Sequence, residues 1–190
     1  MSATRQHFVE TEGIRSFIAA VERFCDVVDR LGTLSRVEFL RQMDELLPLV
    51  YSTASALPSY PWNDGEDENE ELQPNRDVKG HLARWKPLNE AIENKLGGLE
   101  HYWNVFDPVH PTEHDAIDGT LADDIASVYL DLKDPLELYR IGTDAVVRQA
   151  IWDWGFGWKI HWGRHAVSAL SAIYALVHTH YDEDDEVFDI

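Results

Sequence analysis

Apolar residues recur at steps of three and four along most of this 190-residue chain, and this spacing limits the folds that the chain can adopt. Residues three and four apart lie on the same face of a helix, so each such row predicts an amphipathic helix with one buried side. The first row is the clearest and predicts a helix that ends at Gly32. It is formed by Ile14, Phe17, Ile18, Val21, Phe24, Cys25, Val28 and Leu31.

A second helix is predicted to begin at a capping box. Ser35 is followed three residues later by Glu38, the pair that satisfies free backbone N–H groups at a helix N-terminus. Pro48 is expected to kink this helix, because proline cannot donate the backbone hydrogen bond of a helix interior. The second row consists of Phe39, Met43, Leu46, Leu47, Val50, Tyr51 and Ala54.

Further helical segments follow a long interruption. Spacing over residues 78–96 predicts a third helix that ends at Gly97, and Pro87 is expected to bend or split it. A short helical piece is expected through Tyr102 and Phe106. It precedes a stretch that is broken by two prolines.

The second half of the chain predicts a fourth helix and a long last one. Thr112, with Asp115 three residues on, is expected to cap the fourth helix, and Asp134 and Pro135 are expected to start a new one. The last helical region is predicted over about residues 144–181, loosened at its glycines. The apolar row of the fourth helix is Ile117, Leu121, Ile125, Val128 and Leu132.

These segments together predict an all-α fold, a single-domain bundle of about five to seven helices over residues 1–181. No segment shows the sustained alternation of a β-strand. Residues 58–75 are predicted to form a long acidic loop within the domain, and residues 182–190 an acidic tail.

The net charge of −19 comes from 35 acidic residues against 16 Lys and Arg. Twelve of the acids lie in two short runs, six within residues 64–71 and six within residues 182–189. Such runs are usually solvated and keep a protein soluble, but they can also attract a basic partner. We do not expect direct nucleic-acid binding, because the sequence shows no basic patch that could contact phosphates.

The chain is predicted to be a cytoplasmic protein. Its lone Cys25 lies on an apolar helical face, which suits a buried thiol in a reducing compartment. The N-terminus MSATRQHFVE lacks the hydrophobic region of a signal peptide. The longest mainly apolar run, residues 166–177, is shorter than the roughly 20 residues of a membrane helix.

Residues 151–165 contain four of the seven tryptophans and two histidines. Aromatic walls can stack on ligands, but helical spacing favours a core role for Trp154, Trp158 and Trp162. Trp152 is expected to point elsewhere and to form a surface contact. The segment lacks the glutamate of a helical zinc-protease motif and has no nucleophile beside it.

His161 and His165 are spaced i, i+4, so on one helix both imidazoles share a face and could bind one metal ion. Asp124 and Asp131, one heptad apart, are the natural further ligands, and Asp123 is the next candidate. The alternative is a core role, in which each histidine is satisfied by a carboxylate or carbonyl group.

The acids of the fourth helix permit a second interpretation. Asp123, Asp124 and Asp131, with Asp134 and Arg140, could form ion pairs with Arg164 and Lys159 of the last helix. Alternatively they could line a polar pocket in which one carboxylate is a general base and a histidine an acid.

Three segments carry a resemblance to a known family. They are LGGLEHYWNVFDP at residues 96–108, LADDIASVYLDLKD at 121–134 and AIWDWGFGWKIHWGRHAVSAL at 150–170. In the sequence and order of these three segments, the chain resembles the bacterial domain-of-unknown-function 5063 family. The resemblance implies a compact helical protein of bacteria and no established activity. The motif positions are occupied by Asp123, Asp124, Asp131, Lys133, Trp152, His161, Trp162, Gly163, Arg164 and His165.

The first functional hypothesis is a non-enzymatic protein-binding protein, an immunity protein or antitoxin that neutralises a basic partner, with no cofactor. Aromatics beside flexible acids suit such an interface. The alternative is a helical metal- or ligand-binding protein or hydrolase, with one divalent ion held between the fourth and last helices. A nucleic-acid mimic is a third hypothesis. The partner-binding residues would be Tyr60, Trp62, Asp64, Glu66, Asp67 and Glu68.

Overall fold

The computed structural model describes residues 11–58, 78–105, 107–112 and 115–179. In these ranges the chain forms six α-helices and one two-stranded antiparallel sheet, which confirms the predicted all-α bundle. A 3₁₀ turn at Leu31–Thr33 follows α1, and a π-helical turn at Ala175–Thr179 follows α6. The elements are α1 Glu12–Asp29, α2 Arg36–Ala54, α3 Val78–Leu96, β1 His101–Val105, β2 Ala116–Thr120, α4 Leu121–Ile141, α5 Asp144–Ile160 and α6 Trp162–Tyr174.

The first three helices follow the sequence predictions closely. The predicted capping box is present, because the Ser35 side chain accepts from the backbone N–H of Glu38 while the Glu38 carboxylate accepts from that of Ser35. Both α2 and α3 continue through their prolines, Pro48 and Pro87, as single helices. Positive φ angles of 60° at Gly97 and 96° at Gly98 then turn the chain out of α3.

The structure corrects the prediction around Tyr102 and Thr112: residues 101–105 and 116–120 form the two strands of a β-hairpin, while Phe106 lies outside the described residues. Tyr102 pairs with Gly119 across the two strands, and the helix expected to begin at Thr112 begins after Thr120. The Thr120 side chain caps α4 by accepting a hydrogen bond of 3.2 Å from the Asp123 backbone N–H. The sequence HYWNV is rich in residues that favour strands, a signal too short to stand out from a helical pattern.

Helix α4 also runs further than predicted. Asp134 and Pro135 do not start a new helix but lie inside α4, which ends where Gly142 adopts a left-handed φ of 79°. Pro135 is buried in this helix. Packing of α4 against α1, α3, α5 and α6 outweighs the hydrogen bond that the proline cannot donate.

The predicted last helix is divided in two at His161. The backbone of this residue, at φ −144° and ψ −86°, leaves the helical region and separates α5 from α6. Gly163 sits directly over the end of α5, because a Cβ atom there would overlap the carbonyl oxygen of Trp158. The ends of α5 and α6 are therefore in close contact at this break.

The aromatic segment forms part of the core. Trp154 and Trp162 are fully buried, and each indole N–H donates a hydrogen bond of 3.0 Å, to the carbonyls of Leu132 and Trp154 respectively. The core role predicted for Trp154 and Trp162 is confirmed, and Trp158, for which the same role was predicted, is partly buried and packs against the core. The surface role predicted for Trp152 is wrong, since its side chain is buried and stacks on Phe156 at 4.7 Å.

Two further observations concern the predicted buried thiol and the question of membrane spanning. Cys25 is buried, as predicted, and burial raises the pKa of its thiol to about 12. Among the helices of the described ranges, none combines the length and the apolar character needed to cross a bilayer.

Candidate functional site

The site lies where α4, α6 and the hairpin meet. Asp123 and Asp124 are in the first turn of α4, and Asp131 lies two turns further along the same helix. His161 is the junction residue between α5 and α6, and His165 follows it in the first turn of α6. The predicted juxtaposition of the fourth helix with the last helical region is therefore present.

Asp124 is the buried centre of the site. One carboxylate oxygen, Oδ1, lies 2.7 Å from Nδ1 of His165, and the other, Oδ2, accepts a hydrogen bond from the Tyr102 hydroxyl. The Asp124 side chain is only 7% exposed. Burial, together with the bond to Asp124, raises the pKa of Tyr102 above its usual range. Tyr102 therefore remains a donor to this carboxylate at any physiological pH.

A second His–Asp pair lies beside the first. Nδ1 of His161 is 2.7 Å from Oδ2 of Asp131, and the His161 side chain is 46% exposed. This hydrogen bond raises the pKa of His161; burial opposes the increase, and the charges of Asp131 and Asp123 reinforce it. His161 is thus held by a carboxylate and remains accessible to solvent.

The two imidazoles are neighbours, although the helix is broken at His161. Their ring centroids are 4.8 Å apart, with an angle of 64° between the ring planes. Both rings use Nδ1 for an aspartate, and neither Nε2 hydrogen-bonds to any residue in the described ranges. This leaves Nε2 of each ring for a ligand, the arrangement in which a carboxylate orients a metal-binding or basic histidine.

Three side chains place potential ligand atoms close together. Asp123, Asp124 and His165 each offer one such atom, and these atoms lie within 4.8 Å of one another. The Asp123 carboxylate has a long contact of 3.5 Å with the Ser127 hydroxyl. Asp131, which the sequence suggested as a ligand beside Asp124, contacts His161 and lies outside this triplet.

The other charged residues of the predicted constellation are distributed elsewhere. Asp134 pairs with Arg84 of α3, and Arg140 donates a hydrogen bond of 2.9 Å to Glu22 of α1. Arg164 is exposed on α6. In α4, Asp124 and Asp131 thus contact histidines, whereas Asp134 and Arg140, further along the helix, form ion pairs.

Asp153 of α5 is a perturbed acid that the sequence analysis missed. Burial raises its pKa from 3.8 to about 6, helped by the nearby charges of Asp131 and Asp134, although a hydrogen bond from Gln149 lowers it. The Gln149 amide donates to Oδ1 of Asp153 at 2.8 Å. The only sequence signal was a glutamine four residues before an acid in the aromatic run.

Replacing Asp153 with asparagine is expected to stabilise the protein at neutral pH. The folded state binds the proton more tightly than the unfolded chain does, so stability falls as pH rises through the interval from 3.8 to about 6. The asparagine side chain has no charge to bury and keeps the acceptor for Gln149. We expect the free energy of unfolding to rise by about 1 kcal/mol near pH 8 and to be unchanged below about pH 4.

Urea unfolding across this pH range measures the effect, and Asp29→Asn is the matched control of opposite sign. Burial alone would raise the pKa of Asp29, but hydrogen bonds from Lys133 and Tyr129 hold it below its usual value. The Asp29 contribution is therefore present at neutral pH and lost in acid. Equal pH profiles for wild type and Asp153→Asn would contradict the prediction.

The predicted partner-binding residues lie outside the described ranges. These are Tyr60, Trp62, Asp64, Glu66, Asp67 and Glu68. The described part does contain one strongly exposed aromatic that the sequence analysis passed over, Trp103 of β1, whose residue is 78% exposed.

The comparisons with known proteins agree with this fold. The crystal structure of protein BF1032 from Bacteroides fragilis is similar to this chain with a TM-score of 0.70 and 19% sequence identity, covering 90% of this chain and 96% of that one. At this identity the likeness shows a shared fold. No curated protein matches the chain. The family model described as a domain of unknown function, DUF5063, matches residues 9–179, so the chain belongs to the DUF5063 family.

Proposed function

We propose that this protein binds one divalent transition-metal ion through Asp123, Asp124 and His165. The observation that carries the proposal is the convergence of three potential ligand atoms, from two helices, within 4.8 Å of one another. Imidazole and carboxylate together are a donor set for zinc, manganese or iron.

The charge of the site supports a cation over a purely structural network. A structural pair needs one carboxylate for each histidine, and Asp124 already fills that role for His165. Asp123 adds a second carboxylate beside Asp124, and like charges this close repel each other. A bound cation would offset this repulsion.

The neighbouring His161 lies outside the three-ligand set, although its ring is close enough to His165 for the two imidazoles to face the same ion. With metal–nitrogen bonds of roughly 2.1 Å, two imidazoles on one tetrahedral ion have ring centres about 5 Å apart. The separation of 4.8 Å between His161 and His165 agrees with this value. Asp131 holds the His161 ring in this position through its contact with Nδ1.

The donor set also favours one class of chemistry. Three protein ligands leave a coordination position for water, as in catalytic zinc sites, and a metal in such a site supplies an activated water at neutral pH. Hydrolysis is therefore the reaction class that we propose for the site. In it, Asp131 would hold the His161 imidazole, whose side chain is 46% exposed and accessible to a substrate.

The test is metal binding by the His165→Ala variant. We expect wild type to bind one equivalent of Zn²⁺ or Mn²⁺ in calorimetric titrations, and His165→Ala to bind more than about 100-fold more weakly, because a ligand is lost. Elemental analysis of the purified protein gives the stoichiometry independently.

His178→Ala is the matched control for this experiment. His178 also contacts an aspartate, with Nε2 2.8 Å from Oδ2 of Asp44, but it lies outside the site. Its removal should leave the affinity unchanged. Equal affinities of the two variants, or a wild type that binds neither ion, would overturn the proposal.

The acidic segments support a second proposal, that of a cytoplasmic immunity protein or antitoxin that binds a basic partner. Its support is the net charge of −19, with six acids within residues 64–71. Neutralising these six acids should weaken capture of such a partner at low salt, and a salt-insensitive complex would count against the idea.

A further inference from the structure

We propose that Tyr102 is a positioning residue for the metal site, which fixes the Asp124 carboxylate in the orientation that faces His165. The proposal rests on the metal-binding function above and assigns the β-hairpin a part in it. Tyr102 itself is not a ligand. Its effect is transmitted through Asp124.

The hydrogen bonds of Asp124 leave its carboxylate little freedom. The Tyr102 hydroxyl donates to Oδ2 while His165 contacts Oδ1 at 2.7 Å, so each oxygen has one fixed partner. Because a carboxylate has about four acceptor positions, each oxygen keeps a lone pair for another ligand. Two fixed partners on opposite oxygens define the plane in which those lone pairs lie. Without Tyr102, the contact with His165 would be the one hydrogen bond from the described residues that still holds this carboxylate.

The hairpin is built to bring the Tyr102 ring to this position. Tyr102 pairs directly with Gly119, and a Cβ atom at residue 119 would lie 2.7 Å from Cζ and 2.9 Å from the hydroxyl oxygen of Tyr102. Any side chain larger than hydrogen at residue 119 would therefore displace the Tyr102 ring from its position beside Asp124.

A second contact holds the same face of the hairpin against α6. The Asn104 side chain, two residues from Tyr102 and on the same side of the strand, donates to the Ser168 hydroxyl at 3.0 Å. The hairpin is thus attached to α4 through Asp124 and to α6 through Ser168. These are the two helices that supply the proposed metal ligands.

The experiment compares Tyr102→Phe with Tyr129→Phe. Tyr129 is the matched control, because its hydroxyl also donates to a carboxylate, Asp29, but far from the site. We expect Tyr102→Phe to weaken Zn²⁺ binding by about 10- to 100-fold, as loss of a positioning partner typically does, and Tyr129→Phe to leave it unchanged. Equal affinities for the two variants would overturn the proposal.

A metal-free measurement separates this proposal from metal binding itself. Nitrogen-15 NMR of the His165 ring in alkaline solution should show the proton held on Nδ1 in wild type and shared between both nitrogens in Tyr102→Phe. Unchanged His165 spectra in a folded Tyr102→Phe variant would contradict the positioning role. A wild type that binds no metal but shows this tautomer change would overturn only the proposed metal binding.

A second variant covers the case in which Tyr102→Phe does not fold. Gly119→Ala keeps the Tyr102 hydroxyl but displaces the ring, and circular dichroism establishes whether the variant is folded. We expect the same change in the His165 spectrum as in Tyr102→Phe. A wild-type spectrum in folded Gly119→Ala would count against the proposal.

Discussion

Replacing Gly163 with alanine is expected to lower the free energy of unfolding by at least about 3 kcal/mol, the upper end of the usual cost of overpacking. The added Cβ would overlap the carbonyl oxygen of Trp158 and lie 2.8 Å from Cδ1 of its ring. A backbone carbonyl cannot rotate away as a flexible side chain can. The ends of α5 and α6 would have to separate, and His161 lies between them.

Urea unfolding of Gly163→Ala measures this loss, and Gly32→Ala is the control. A Cβ atom at Gly32 would meet no other atom within 4 Å, so we expect a change of no more than about 0.5 kcal/mol there. Similar midpoints for the two variants would show that the close approach at Gly163 can relax. Weaker Zn²⁺ binding by folded Gly163→Ala would further indicate that the two histidines have moved.

Trp154→Ala is expected to cost about 3–5 kcal/mol, as removal of a fully buried aromatic typically does. The indole packs edge-on against Phe17 at 5.2 Å and donates to the carbonyl of Leu132. Its removal would leave a cavity between α1, α4 and α5, as well as a buried carbonyl without its side-chain donor. The thermal midpoint of unfolding, followed by circular dichroism, should fall accordingly.

Trp103→Ala provides the comparison within the same residue type. Trp103 is 78% exposed, so its removal should change the free energy of unfolding by less than about 0.5 kcal/mol. A Trp154→Ala variant as stable as Trp103→Ala would mean that the core around α4 can collapse onto the vacated space.

The helices could be predicted because their signals are local. The apolar row of α1, the capping box at Ser35 and the stop at Gly97 each depend on residues within a few positions of one another. Such signals persist when tertiary contacts add to them. The burial of Trp154 and Trp162 followed from the same spacing.

The errors lie where tertiary packing outweighs a local signal. Pro135 resembles a helix start, yet burial keeps it inside α4. The hairpin pairs strands that are separated by about ten residues, a distance over which sequence gives little warning. Trp152 lies two residues from Trp154, so a helix places it on a different face, and a surface position was predicted. Its side chain is nevertheless buried and stacks on Phe156.

The candidate site was predictable in part. Helical spacing brought His161 and His165 together, and heptad spacing suggested Asp124 and Asp131 as their neighbours. The division into two His–Asp pairs, with Asp123 beside the buried one, depends on the angle between α4 and α6. Tyr102 could not be predicted, because a helix was expected where the strand lies.

The direct junction of β2 and α4 makes the length of the chain critical at one point. Thr120 ends the strand and Leu121 begins the helix, with no linker between them. One residue inserted there would turn α4 by about 100° relative to the hairpin, since a helix completes a turn in 3.6 residues. Asp124 would then face away from Tyr102, although every side chain of the site would still be encoded. Sequence relatives of equal composition but different length at this junction would therefore lack the site.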